Sequence, residues 1–203
     1  MDDFDWNSFL HQWSVTVLQS ASLAANVPPQ VVASRWLGYP GATEAEIMQA
    51  EARLEVTLPL SYRAFLGVSN GWHSTGSFLH MLWPLEKVER FSKRHQPWID
   101  VYVEGRKGLP PVTDEEYLVY GEDQAEGLFR PEYLQTALEI SARESDGVFL
   151  LNPQIVTAKG EWEAWFFANW LSGAERYRSF LEMMQAEYED ILANLSEGGG
   201  GSE

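Results

Sequence analysis

The stretch Arg35-Trp-Leu-Gly-Tyr-Pro-Gly-Ala-Thr43, continuing through Glu51, Leu58-Pro59 and Tyr62-Arg63-Ala64-Phe65-Leu66 to Ser69-Asn70-Gly71-Trp72, carries the start and stop signals of two short helices. Thr43 is placed to cap the first, and Glu46, three positions on, can return its carboxylate to the Thr43 amide as a capping box. Ile47, Ala50, Glu51 and Leu54 then share one helical face. Leu58-Pro59 separates the helices, because proline fits a first turn and disfavours helix in the residue before it. Tyr62, Phe65, Leu66 and Ser69 recur at helical spacing, and Asn70-Gly71 offers the left-handed conformation of a C-cap.

Outward from this pair, Trp6, Leu10, Trp13, Val17 and Ala24 recur every three or four positions, which predicts an amphipathic helix from Asp5 to Asn26, stopped by Pro28-Pro29. Its tryptophans are expected to dock on the core, since each large apolar side chain left in water forfeits ~1.5–3 kcal/mol; the other reading is an exposed Trp6/Trp13 pair that meets a partner. Phe78 to Leu82 predicts a strand between Gly76 and Pro84, and Leu85 to Phe91 a helical turn or two. Residues 92–113, broken by Pro97, Gly105, Gly108 and Pro110-Pro111, predict mostly loop, with Trp98–Val103 a strand or short helix. Tyr117–Tyr120 predicts a short strand.

Leu138 to Ala142 alternates, and Asp146-Gly147 supplies a hairpin turn into Val148–Leu151, whose unbroken apolarity marks a central strand covered on both faces. Lys159-Gly160 turns the chain into Glu161–Ala168. There Trp162, Ala164, Phe166 and Ala168 share one face, and Glu161, Glu163, Trp165 and Phe167 the other. Tyr177, Leu181, Met184, Tyr188, Ile191 and Leu195 predict a final helix from about Ala174 to Leu195. The whole reads as one α+β domain: a mainly antiparallel central sheet packed by N-terminal helices and a long C-terminal helix. Residues 1–30 form a helical extension, 31–196 the core domain, and 197–203 a flexible Gly-rich tail of linker composition, either a fusion remnant or native.

Composition narrows the function. The 203 residues are 45% hydrophobic, enough for one well-filled core, and the absence of cysteine removes disulfides, thiol catalysis and thiolate metal sites. The start, Met1-Asp-Asp-Phe-Asp-Trp6, lacks the basic and apolar regions of a secretory signal, so the cytoplasm is the expected location. The net charge of −16 is uneven: residues 1–98 hold nine Asp/Glu against seven Lys/Arg, and residues 99–203 hold twenty-one against seven. Such a field disfavours nucleic acid and anionic membrane and favours a basic protein partner. The bland alternative is that it serves solubility.

No G-x-S-x-G, phosphate loop or dinucleotide fingerprint is present, and His11, His73, His80 and His95 lack metal-ligand spacing, so neither cofactor nor metal is expected. Glu51 is anomalous on an apolar face; it either ties the two helices together, accepting from backbone amides or Tyr62, or belongs to a site. Glu161 and Glu163 share a strand face with Trp165 and read either as an acid/base pair or as the rim of an aromatic interface patch. Asp114, Glu115, Glu116, Glu122, Asp123 and Glu126 run without an intervening base and complete the candidate partner-binding residues.

The run Gly41–Ile47, Ala50-Glu51, Leu54, Leu58-Pro59, Tyr62-Arg63, Phe65-Leu66 and Ser69-Asn70-Gly71 resembles the opening of the SUKH superfamily, named partly for the yeast cell-wall-assembly regulators Smi and Knr. Gly147-Val-Phe-Leu-Leu-Asn-Pro153, Gly160-Glu-Trp-Glu-Ala-Trp-Phe-Phe167 and Arg178-Ser-Phe-Leu181 agree in the same order. The resemblance makes Trp36, Gly38, Gly41, Glu51, Pro59, Tyr62, Phe65, Asn70 and Gly71 structural signature positions. It implies an α+β domain serving in bacteria as an immunity protein for a polymorphic toxin, and in fungi as a signalling scaffold. The expected function is therefore non-catalytic: neutralisation of a toxin through an acidic surface, with a regulatory scaffold or an unrecognised hydrolase as alternatives.

Overall fold

Five antiparallel strands follow one another across a single sheet in chain order: β1 (Glu89–Arg90), β2 (Leu138–Glu139), β3 (Gly147–Val156), β4 (Trp162–Ala168) and β5 (Ala174–Tyr177). They belong to a computed structural model that describes residues 4–73, 81–142 and 147–198. Phe149 stands opposite Phe166, Leu150 opposite Trp165 and Asn152 opposite Glu163. The register then slips between Asn152 and Val156, where Pro153 cannot donate to the ladder.

Alternation sorts the β3 and β4 side chains into two cores. Phe149, Leu151, Trp162, Ala164, Phe166 and Ala168 pack on one face, and Val148, Leu150, Trp165 and Phe167 on the other. The first face is covered by α1 (Trp6–Gln19), α4 (Glu44–Leu54), α5 (Leu60–Val68) and α8 (Phe180–Gly198), with α2 (Ala21–Ala24) and α3 (Pro29–Ser34) as short links. The second lies under α6 (Ser92–Gly105), α7 (Asp114–Tyr117) and the 3-10 turn Pro131–Gln135. The resulting α+β domain has its sheet buried on both sides, as the unbroken apolar run of β3 predicted.

The capping box of α4 is present in both directions: the Glu46 amide donates to Thr43 Oγ1, and the Thr43 amide to Glu46 Oε2 at 2.7 Å. Trp6 and Trp13 are buried on α5, α8 and Trp72, so the tryptophan stripe of α1 belongs to the core. Tyr62 and Phe65 stack against Phe180 there. Trp36 lies between His11 and Trp72, Gly38 bridges Trp72, and Gly41 backs onto the Gly67 carbonyl.

Several expectations are corrected. The first helix ends at Gln19, because Ser20 is extended and caps α2 through its side chain. Helix α5 ends at an extended Ser69 and not in a left-handed cap. Gly71 does have positive φ, at 108°, yet it serves a turn in which a Cβ would stand 2.9 Å from the Leu82 carbonyl. The Asn70 side chain meanwhile accepts from the Leu85 amide at 2.8 Å. Leu85–Lys87 is a single 3-10 turn before β1. Residues 92–105 form a helix kinked at His95, and Pro97, which removes one helical donor, is tolerated at that kink. Tyr117 closes a helical turn whose cap is the Thr113–Glu116 box, so no strand forms there. Ala174–Tyr177 is strand, and α8 starts only after Ser179 accepts from the Glu182 amide. Of the predicted strand Phe78–Leu82, residues 78–80 lie outside the described residues, and Leu82 forms isolated antiparallel bridges with Trp72 and Ser141; the Asp146 side of the β-hairpin turn and the tail beyond Gly198 also lie outside them.

Candidate functional site

The carboxylates singled out in the sequence separate into three environments. Glu51 accepts from the Leu58 amide at 2.8 Å and pairs with Arg63 at 2.6 Å, while Arg63 also reaches Glu44. It joins α4 to α5 through these groups and not through Tyr62. Glu51→Ala is expected to lower stability by ~1–3 kcal/mol, because the Leu58 amide and the Arg63 guanidinium lose their acceptor. A melting curve matching the parent would detach Glu51 from that role. Glu161 performs a similar service at the other helix end. Helix α5 opens on Pro59, which has no side-chain cap, and Glu161 accepts from the Ser61 amide at 3.0 Å and its hydroxyl at 2.6 Å.

Glu163 and Trp165 do not rim a surface patch. Both are fully buried in the second core, because α6, α7 and the Pro131–Gln135 turn cover this face. Glu163 Oε2 accepts from Tyr117 Oη at 2.7 Å, Asn152 Nδ2 at 2.8 Å and Trp165 Nε1 at 2.7 Å. Its Oε1 accepts from Tyr120 Oη at 3.0 Å and faces Arg176 Nη1 at 3.4 Å. Burial raises the hydroxyl pKa of Tyr117 and Tyr120, with the Glu163 charge acting in the same direction, so both remain donors. This is a saturated carboxylate with no free lone pair for chemistry, and it is not paired with Glu161.

Arg176 turns that hub outward. Besides Glu163 it donates to the backbone carbonyls of Tyr117 and, at 3.3 Å, Val119, and its guanidinium lies over the Tyr117 ring. The Arg176 amide donates to Gln124 Oε1 at 2.8 Å, and Gln124 Nε2 donates back to the Arg176 carbonyl at 3.0 Å. The Ala174 amide donates to the Glu126 carbonyl. Residues 121–126 thereby cover the outer edge of β5, which would otherwise present unpaired backbone groups. Gly173 permits the approach: a Cβ there would stand 2.0 Å from the Glu126 carbonyl oxygen.

The acidic run is consequently divided. Asp114 pairs with Arg130 at 2.6 Å, a base supplied from sixteen residues downstream that inspection of the run itself does not reveal. Glu116 is committed to its capping box. Glu115, Glu122 and Asp123 are exposed, and Glu122 and Glu126 face a groove between residues 121–126, β5 and α8.

That groove, about 600 Å³, continues into a second recess of about 360 Å³ lined by Glu126, Phe166, Trp170, Leu171, Glu175, Glu187, Asp190 and Asn194. Together they gather seven carboxylates: Glu122, Glu126, Glu175, Glu182, Glu187, Glu189 and Asp190. Among the described residues the one base in the lining, Arg176, is engaged by Glu163, while Glu182 is paired with Arg178 at 2.9 Å. Loss of water raises the Glu175 pKa, and Asp190 and Glu126 add to the rise while Tyr177 opposes it. Burial likewise pushes Glu187 up to about 8, with Asp190 and Glu175 reinforcing it.

Of the sequence candidates, only Glu122 and Glu126 reach this groove. Glu175, Glu182, Glu187, Glu189 and Asp190 were missed, although Glu187, Asp190 and Asn194 stand at helical spacings of three and four and could have been read as one polar stripe. His11, His73 and His95 contact Trp36, Tyr39 and Glu139 respectively, and among the described residues no group of three His, Asp or Glu side chains could hold a metal ion. Among those residues no helix is long and apolar enough to cross a membrane. No curated protein matches the chain. The profile of the SMI1 / KNR4 family (SUKH-1) matches residues 41–186, a span that includes α4 and α5, the whole sheet and the first turns of α8, and the chain belongs to that family.

Proposed function

We propose that the protein acts by binding and not by turnover, as an immunity protein of the SUKH type that neutralises a toxin with a basic surface, in the cytoplasm. The observation that carries the reading is the groove over β5 and α8, where seven carboxylates line one concavity whose one arginine among the described residues is already engaged. An acidic concavity attracts a cationic protein by ~10–10³-fold in association rate and repels phosphate backbones. Family membership supports the immunity assignment. The carboxylates that would serve a hydrolase point the other way: Glu51, Glu161 and Glu163 are each held by structural donors.

The test is affinity capture from the source cells, followed by expression of the captured partner with and without this chain. Growth arrest by the partner that is relieved by co-expression is the expected result. A captured partner that does not arrest growth would overturn the immunity reading and favour a scaffold. Turnover of a substrate lost in Glu51→Gln or Glu161→Gln would overturn the non-catalytic reading.

A further inference from the structure

Glu187 is the most unusual group in the groove. It is 6% exposed, and among the described residues no hydrogen-bond donor or cation partners its carboxyl. The charged groups that act on it are acids, Asp190 one turn along α8 and Glu175 on β5; the Tyr177 hydroxyl of β5 lies close enough to feel its charge, and Glu126 lines the same recess. Phe166 of β4 and Leu171 supply apolar wall. Across the recess Trp170, 59% exposed, packs on Phe166 with ring centroids 5.7 Å apart. A buried carboxyl without a donor is costly in its charged form and is retained where something external completes it.

We propose that this recess receives one arginine side chain of the partner, its guanidinium set between the Glu187 and Asp190 carboxylates. The inference rests on the reading of the groove as a surface for a basic protein and names the group it recognises. A guanidinium fits better than an ammonium or a metal ion. Its planar donors match two carboxylates, and it is weakly hydrated and so enters a half-closed recess at lower cost. No metal-holding group of three side chains exists among the described residues.

Arginine binding favours the ionised form of Glu187, whose pKa in the empty recess is raised to about 8, so binding releases a proton. Affinity therefore rises with pH from about 6 to about 9, across the raised Glu187 pKa, a window in which the probe stays cationic. Burial also raises the Glu175 pKa in the same recess, so a bound cation favours its ionised form as well.

The experiment is an NMR titration of the free protein with N-acetyl-arginine amide, reading the Trp170 indole and the Glu187 side chain. N-acetyl-citrulline amide, the uncharged isostere, and N-acetyl-lysine amide are titrated in parallel. Arginine amide is expected to shift both signals, more tightly at pH 9 than at pH 6, with citrulline silent and Glu187→Gln weakening the response by about tenfold. Equal responses to arginine and citrulline, an unchanged response in Glu187→Gln, or absence of any shift at Trp170 would overturn the proposal. A lysine response as strong as the arginine response, or calcium ions shifting the same signals at lower concentration, would overturn the guanidinium assignment. No partner is needed, so this result and the capture experiment fail independently.

Discussion

Replacing Glu163 by alanine is expected to cost about 3–5 kcal/mol of stability, the range found when one member of a buried ion pair is removed. The single carboxylate accepts from Tyr117, Tyr120, Asn152 and Trp165 and faces Arg176, and every one of these groups is at least partly buried. Its removal leaves a guanidinium with 1% of its residue surface exposed and no counter-charge, together with four neutral donors lacking an acceptor. Against a typical domain stability of roughly 5–15 kcal/mol this is a large fraction, and the alanine variant can fail to fold. Two further variants keep the claim testable. Glu163→Gln retains the shape and part of the acceptor capacity and should lose less. The double variant Glu163→Leu/Arg176→Met removes both charges and should be more stable than Glu163→Ala, because no uncompensated ion remains. A denaturant midpoint for Glu163→Ala that implies a loss under about 1 kcal/mol would remove Glu163 from the centre of the second core.

The hub also explains how the acidic surface is held. Arg176 connects Glu163 to the carbonyls of Tyr117 and Val119, and through Gln124 it fixes the segment bearing Glu122 and Glu126 along the edge of β5. A conservative loss at position 163 should therefore loosen residues 121–126 before it unfolds the sheet. The order of events follows from geometry: residues 121–126 touch the edge strand through few hydrogen bonds, whereas β3 and β4 are paired along seven positions.

What was legible in the sequence was what local spacing encodes. The Thr43/Glu46 box is a three-residue signal, and the two-faced pattern of β4 is a period of two; both survive in the structure because no distant group contradicts them. The same kind of signal was present and overlooked twice. Thr113-x-x-Glu116 and Ser179-x-x-Glu182 mark the starts of α7 and α8, and reading them would have turned the supposed strand at Tyr117 into a helical turn and freed Ala174–Tyr177 for the sheet. Tyr177 misled because it lies four residues before Leu181 and so extends the helical pattern backward by accident. The candidate site was far less legible. Alternation placed Glu163 on a face but could not say that α7 covers it, and the recess of Glu187 is assembled from residues 126, 166–175 and 187–194. A carboxyl on an acidic helix becomes conspicuous only when the fold buries it away from every cation.

Reversing charge in the groove is expected to have the largest effect on function. Glu122 and Glu189 are exposed on opposite walls, and among the described residues neither is paired with a base. Glu122→Lys/Glu189→Lys should leave the protein folded, since exposed substitutions of this kind usually change stability within about ±0.5 kcal/mol each. It should slow association with a captured partner by about ten- to a hundredfold at low ionic strength. The necessary comparison is Glu86→Lys/Glu132→Lys, which changes the net charge identically at exposed positions elsewhere. At ~0.01 M salt the Debye length is ~30 Å, so charges over much of the molecule act on an approaching partner and both variants should be slowed. At ~0.15 M it falls to ~8 Å, and only charges near the contact still matter. The groove variant should then keep a clear deficit while the comparison variant returns to the parent rate. Equal rates for the two variants at the higher salt would show that the partner senses overall charge alone, and would remove the groove from the interface.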